Sequence, residues 1–134
     1  MPMSDRSALG VPGEVVIARV ANPLENPHCR GEHRPVVLVR RDGGHWMVMG
    51  LTTSPLYGDN TPRTPVPHPY EIGLNGPGYL WSSRLTRVSV LDIGSHIGWV
   101  DPALAATIIA QARLMPEDAA GLVWSLGQSS PEAA

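Results

Sequence analysis

Chemistry at neutral pH calls for histidine, a carboxylate or arginine, and this sequence crowds all three into one short stretch. His28-Cys29 is followed by Glu32-His33-Arg34. An imidazole titrates near neutrality and works as acid or base without tuning. A carboxylate accepts a proton. A guanidinium keeps its charge and offers a planar fork of donors to paired anionic oxygens. If extended backbone reaches back to Glu32, alternation puts Glu32 on the face of Arg34 and His33 on the opposite one. His28 beside Cys29 brings together two metal-binding groups, but two ligands without a second pair make no metal pattern. Solvated loop histidines and a surface arginine at a strand start are the plain readings of the same residues.

The whole-chain charge excludes a bulk positive field. Ten basic residues, all arginine, face twelve acids for a net charge of −2 over 134 residues. Any site for a polyanion must therefore be a local arginine cluster. The single Cys29 excludes an internal disulfide framework and a zinc cage of several thiols. Met1 to Pro12 holds Asp5 and Arg6 and no apolar run, so it does not read as a signal peptide. No stretch approaches the roughly 20 apolar residues of a membrane helix. The compartment read from these features is cytoplasmic.

The elements that must position the polar stretch are mostly strands. Fourteen glycines and fourteen prolines imply frequent turns and few long helices. Gly13 to Val20, Arg34 to Arg41 and His45 to Thr53 read as strands rich in β-branched residues, with Asp42-Gly43 turning the second into the third. Ser54 to His68, with Pro55, Pro62, Pro65 and Pro67, reads as a long loop, functional or mobile. Pro69 to Leu74, Tyr79 to Ser83, Thr86 to Ile93 and His96 to Val100 read as short strands. Asp101 and Pro102 open a helix whose stripe is Leu104, Ala105, Ile108, Ile109 and Ala112, and Pro116 to Leu126 reads as a second short helix. The expected organisation is an N-terminal tail (1–12), one domain (13–126) and a frayed tail (127–134).

Four landmarks then fall in a familiar order. Gly13-Glu14-Val15-Val16, Arg34-Pro35-Val36-Val37-Leu38-Val39, Leu51-Thr52-Thr53-Ser54 and Pro69-Tyr70-Glu71-Ile72 together resemble the PemK/MazF family of toxins, over residues 13 to 114. The resemblance implies an SH3-like antiparallel β-barrel with a C-terminal α-helix, mainly β. It implies a homodimeric endoribonuclease that cleaves single-stranded RNA without metal or other cofactor, through 2′-hydroxyl attack and a 2′,3′-cyclic phosphate. It also implies a cognate antitoxin protein as partner.

Arg34 and Thr52 stand where the family carries its catalytic arginine and threonine. The arginine suits the charge on a pentavalent phosphorane, and the threonine hydroxyl can hold a phosphate oxygen. His28, His33 and Glu32 are the candidates for acid and base. Arg84, Arg87 and Thr53 are the candidates for RNA contacts, with Tyr57, Tyr70 or Trp81 as stacking platforms. The sequence departs from the family in a longer loop before Arg34, in Ser83-Arg84 where Asp-Gln is common, and in Ser54-Pro55 where Gln-Ser is frequent. Those departures leave open a non-catalytic barrel that binds protein or nucleic acid, resembling the related gyrase poisons or an inactive toxin homologue. A third reading is a small hydrolase using His28 or His33 as base for another reaction.

Overall fold

A computed structural model describes residues 7–20, 32–112, 114, 116, 118, 119 and 122. Runs of β-branched residues become the long strands: β1 (Glu14–Val20), β2 (Glu32–Asp42) and β3 (His45–Thr52). Two short strands follow, β4 (Tyr79–Leu80) and β5 (Thr86–Ser89), then β6 (Ile93–Trp99), and the chain enters helix α1 (Pro102–Ala112). All strand pairs are antiparallel, in the order β4-β3-β2-β1-β6. β5 shares an edge of β3 with β4: β4 pairs Leu51 and Thr52, and β5 pairs His45 to Val48. The β2–β3 turn is the expected one, with Asp42 paired to His45 and Gly43 at a φ of 61°.

The architecture is mainly β with a C-terminal helix, as the sequence implies. The sheet curls like a barrel wall, because β1 approaches β5 although β2 and β3 separate them in the sheet. It does not close. Between β5 and β6 the chain makes a 3₁₀ turn at Val90–Asp92 instead of a ladder, with the Ser89 hydroxyl accepting from the Leu91 amide. That turn divides the single strand expected over Thr86 to Ile93. The strand expected at Pro69 to Leu74 is likewise a 3₁₀ turn, Tyr70–Ile72, because Pro69 takes helical angles and Gly73 ends the turn at a φ of 100°. No side chain fits at Gly73, since a Cβ there would lie 2.5 Å from the Ile97 side chain.

Two apolar clusters hold the sheet, one on each face. Inside the curl lie Val16, Ala18, Val36, Leu38, Trp46, Val48 and Val88. On the other face Val15, Val37, Met49, Leu51, Ile72 and Leu80 meet Leu104, Ala105, Ile108 and Ala112 of α1. Burying Leu104 and Ile108 completely contributes about 1.5–3 kcal/mol each. Asp101 starts the helix as expected, its Oδ1 accepting from the Leu104 amide at 2.7 Å. Beyond α1, buried Asp118 pairs with Arg40 of β2. The second helix expected over 116–126 and the tail at 127–134 lie largely or wholly outside the described residues.

One buried charge ties the chain's beginning to the sheet. Glu14 is fully buried and its carboxylate accepts from the Leu9 and Gly10 amides at 2.8 Å each and meets His96 Nδ1 at 2.7 Å. Ser7 bridges to Ser95 beside it. Removing the carboxylate orphans two backbone donors and breaks the pair with His96. Glu14→Ala is expected to lower stability by about 2–4 kcal/mol in urea denaturation. A loss under about 0.5 kcal/mol, the range of an ordinary surface change, would show that these bonds do not anchor the segment.

Candidate functional site

Arg34 and Thr52 meet because β2 carries one extra residue. The ladder runs Asp42↔His45, Arg41↔Trp46 and Arg40↔Met47, then skips Val39 and resumes at Leu38↔Val48 and Val36↔Gly50. Continued along both strands beyond Val36↔Gly50, the register sets Arg34 across from Thr52. Without the bulge the same count would bring Thr53 there instead. Residues directly opposite point to the same face. Arg34, Val36 and Leu38 of β2 therefore share the inner face with Val48, Gly50 and Thr52 of β3, at the end far from the turn.

Trp81, just after β4, sets the position of Arg34. The guanidinium carbon lies 4.6 Å from the centre of the indole. The tryptophan is itself fixed, its amide donating to the Gly50 carbonyl at 2.8 Å. Its ring covers Gly50 so closely that a Cβ there would stand 2.8 Å from Cε3. Arg34 Nη2 reaches Glu32 Oε2 at 3.3 Å, the Arg34 side chain being 19% exposed and that of Glu32 74%. Among the described residues, Arg34 Nε is buried and has no hydrogen-bond partner. The guanidinium edge that carries Nη2, next to exposed Glu32, is the part an anionic oxygen from solvent can reach.

The other sequence-derived candidates are distributed unevenly. Glu32 is on Arg34's face and touches it. His33 is exposed and pairs in register with Arg19 on the other side of β2. His28 lies outside the described residues. The Thr52 hydroxyl accepts from the Ser54 amide at 3.2 Å. Thr52 and Thr53 line a small apolar cavity of about 160 Å³ with Pro35, Leu51, Leu74 and Asn75. Arg84 sits in the turn after β4, its amide bonded to Ser82 Oγ. Arg87 stands at the hairpin-turn end, near His45 and Asp42, and is not beside Arg34. Tyr70 is 70% exposed, and Tyr57 lies under Arg63.

The long loop carries its own bonds. Arg63 donates to the Leu56 carbonyl at 2.8 Å, to Ser54 at 3.3 Å and to Trp81 at 3.1 Å. The Thr61 hydroxyl and amide bond Asp59 and hold its carboxyl below the ordinary carboxylate value. Sequence reasoning missed Trp81 as the seat of Arg34, Gly50 as the space that admits it, and Arg63 as the loop's tie. No local pattern marks them, because Trp81 meets Arg34, Gly50 and Arg63 from positions distant in sequence.

No family model and no curated protein matches the sequence. Among solved structures the chain is similar to the Mycobacterium tuberculosis toxin MazF-mt6, at 21% identity with a TM-score of 0.46. The match covers 87% of this chain and 94% of that one.

Gly50→Ala offers a direct check of the Trp81 seat. The added methyl must displace the indole, so the Arg34 Nε–H resonance is expected to leave its ring-shifted position while the fold persists, at a cost of about 1–3 kcal/mol. The same resonance should move in Trp81→Ala. An Arg34 signal unchanged in both variants would mean that the guanidinium does not rest on the ring.

Proposed function

We propose that this chain is an endoribonuclease toxin of the PemK/MazF type, cutting single-stranded RNA without metal at Arg34 and Thr52. The supporting observation is Arg34 itself, seated on Trp81, with exposed Glu32 against its Nη2, and set across from Thr52. The ribose 2′-oxygen attacks the neighbouring phosphorus as the bond from phosphorus to the 5′-oxygen breaks, leaving a 2′,3′-cyclic phosphate and a 5′-hydroxyl. Arg34 stabilises the charge on the phosphorane oxygens, and the Thr52 hydroxyl holds one of them. A guanidinium keeps its proton in water and is a poor proton shuttle, so its role is electrostatic.

Glu32 is the group best situated to take the 2′-hydroxyl proton, since its carboxylate already touches Arg34 at 3.3 Å. The leaving 5′-oxygen takes a proton from solvent or His28, since β2 turns His33 to the opposite face, and the pH–rate profile of a His28 variant separates these. Arg84 and Thr53 extend the RNA contacts beyond Arg34. The same reading makes the working form a homodimer neutralised by an antitoxin protein. Sedimentation giving only monomer at roughly tens of micromolar would count against that assembly.

The purified chain is expected to cut single-stranded RNA in EDTA and leave cyclic phosphate ends. Arg34→Ala should slow cleavage by roughly 10²-fold or more, with Arg34→Lys a poor substitute and Thr52→Ala milder. Circular dichroism should show all three folded. Loss of cleavage in EDTA, or Arg34→Ala cutting as fast as the parent, would sink the assignment. A parent that cuts no RNA but binds an antitoxin-like protein would make the chain a binding module.

A further inference from the structure

We infer that His68, Glu71 and Asp101 form a binding site for one divalent transition-metal ion, zinc fitting best, that clips the Pro67–Gly73 segment onto the start of α1. One ligand atom from each residue lies within 4.8 Å of the others. His68 Nδ1 stands 3.1 Å from Asp101 Oδ2 and 3.9 Å from Glu71 Oε2. Around an ion bound at about 2.0–2.1 Å, tetrahedral ligand atoms stand about 3.3 Å apart. The observed separations bracket that edge, so side-chain rotation suffices to complete the set.

Each ligand has its own anchor, and the Glu71 amide also donates to the His68 carbonyl at 3.2 Å. Pro67 and Pro69 fix the backbone on both sides of His68. Glu71 rides on the Tyr70–Ile72 turn, which is anchored by fully buried Ile72 and by Gly73 against Ile97. Asp101 spends its Oδ1 on the Leu104 amide and turns Oδ2 toward the imidazole. One oxygen thus orients the carboxylate while the other remains to bind, the usual division of labour in a metal-ligating side chain.

Charge and access agree with a cation. Among the described residues, His68 is the only basic group paired with either Glu71 or Asp101. The His68 and Glu71 side chains are 53% and 72% exposed, leaving room for water in the remaining coordination positions. An imidazole with two carboxylates suits zinc better than magnesium or calcium, which prefer all-oxygen sets. Metal-free, an imidazole N–H fills the gap to Asp101, and the ion takes the place of that proton. The site uses neither Arg34 nor Thr52, so it stands whether or not the chain cleaves RNA.

The test is calorimetric titration of the whole chain with zinc chloride, with cobalt absorption as a second reading of ligand type. One zinc per chain is expected, with a tetrahedral cobalt spectrum. Asp101→Asn, which keeps the helix cap, should weaken binding tenfold or more, as should Glu71→Gln and His68→Ala. Saturating zinc should raise the melting temperature by roughly 5–10 °C in the parent and not in Asp101→Asn. Absence of zinc binding overturns the inference. So does binding that survives unchanged in Asp101→Asn and Glu71→Gln, because the ion then sits elsewhere, His28 and Cys29 being the next ligands to test. If His68→Ala fails to fold, the other two variants decide.

Discussion

The extra residue of β2 at Val39 governs which side chain of β3 meets Arg34, and much of the site follows from it. In an antiparallel pair a slip of one residue turns every side chain to the opposite face. The bulge confines that slip to the stretch next to the turn, between Leu38 and Arg40. Beyond it, Val36 and Leu38 stay buried inside the curl opposite Gly50 and Val48, and Val37 stays under the helix opposite Met49. The two cores therefore enforce the register that sets Arg34 across from Thr52. Burial on both faces makes the alternative pairing costly, since it would exchange the two clusters.

The second dependence runs through Trp81. A guanidinium at the end of a strand has many rotamers, and holding it still costs side-chain entropy. The indole removes much of that freedom in advance, lying on Gly50 by contact and by the bond from its amide to the Gly50 carbonyl. Arg63 fastens the Trp81 carbonyl to the loop over 54–63, so the loop's bonds reach Arg34 through one intermediary. The prolines that make this loop unfit for a strand also reduce the entropy lost when it is fixed.

Periodicity made the β2–β3 hairpin, the strand β1 and the α1 stripe legible, because Val15, Val37, Leu104 and Ile108 alternate or recur as their elements require. It failed at Pro69 to Leu74, where alternation of Tyr70, Ile72 and Leu74 reads as extended but a left-handed glycine closes a 3₁₀ turn. It failed again at Val90–Asp92, an apolar run whose serine cap turns the chain out of the ladder. Of the site, Arg34 and Thr52 were legible through family resemblance, and Glu32 through alternation. The bulge was not, because its cause is the demand of two cores on one strand, and no residue type at Val39 announces it. The His68, Glu71 and Asp101 cluster was invisible for a related reason: His68 and Asp101 lie 33 positions apart in sequence.

The negative chain also bears on how a polyanion would reach Arg34. With a net charge of −2 there is little long-range attraction for RNA, and capture depends on charges within a Debye length, about 8–10 Å. The nearest is unfavourable: Glu32 already sits against the guanidinium. A phosphate entering the site would exchange one anion for another, so the gain from Arg34 would be partly offset by releasing Glu32 to solvent. At 74% exposure that release is inexpensive, because the carboxylate regains water with little rearrangement. If the chain cuts RNA as proposed, the displaced carboxylate stays close to the entering ribose, where that chemistry needs a proton acceptor.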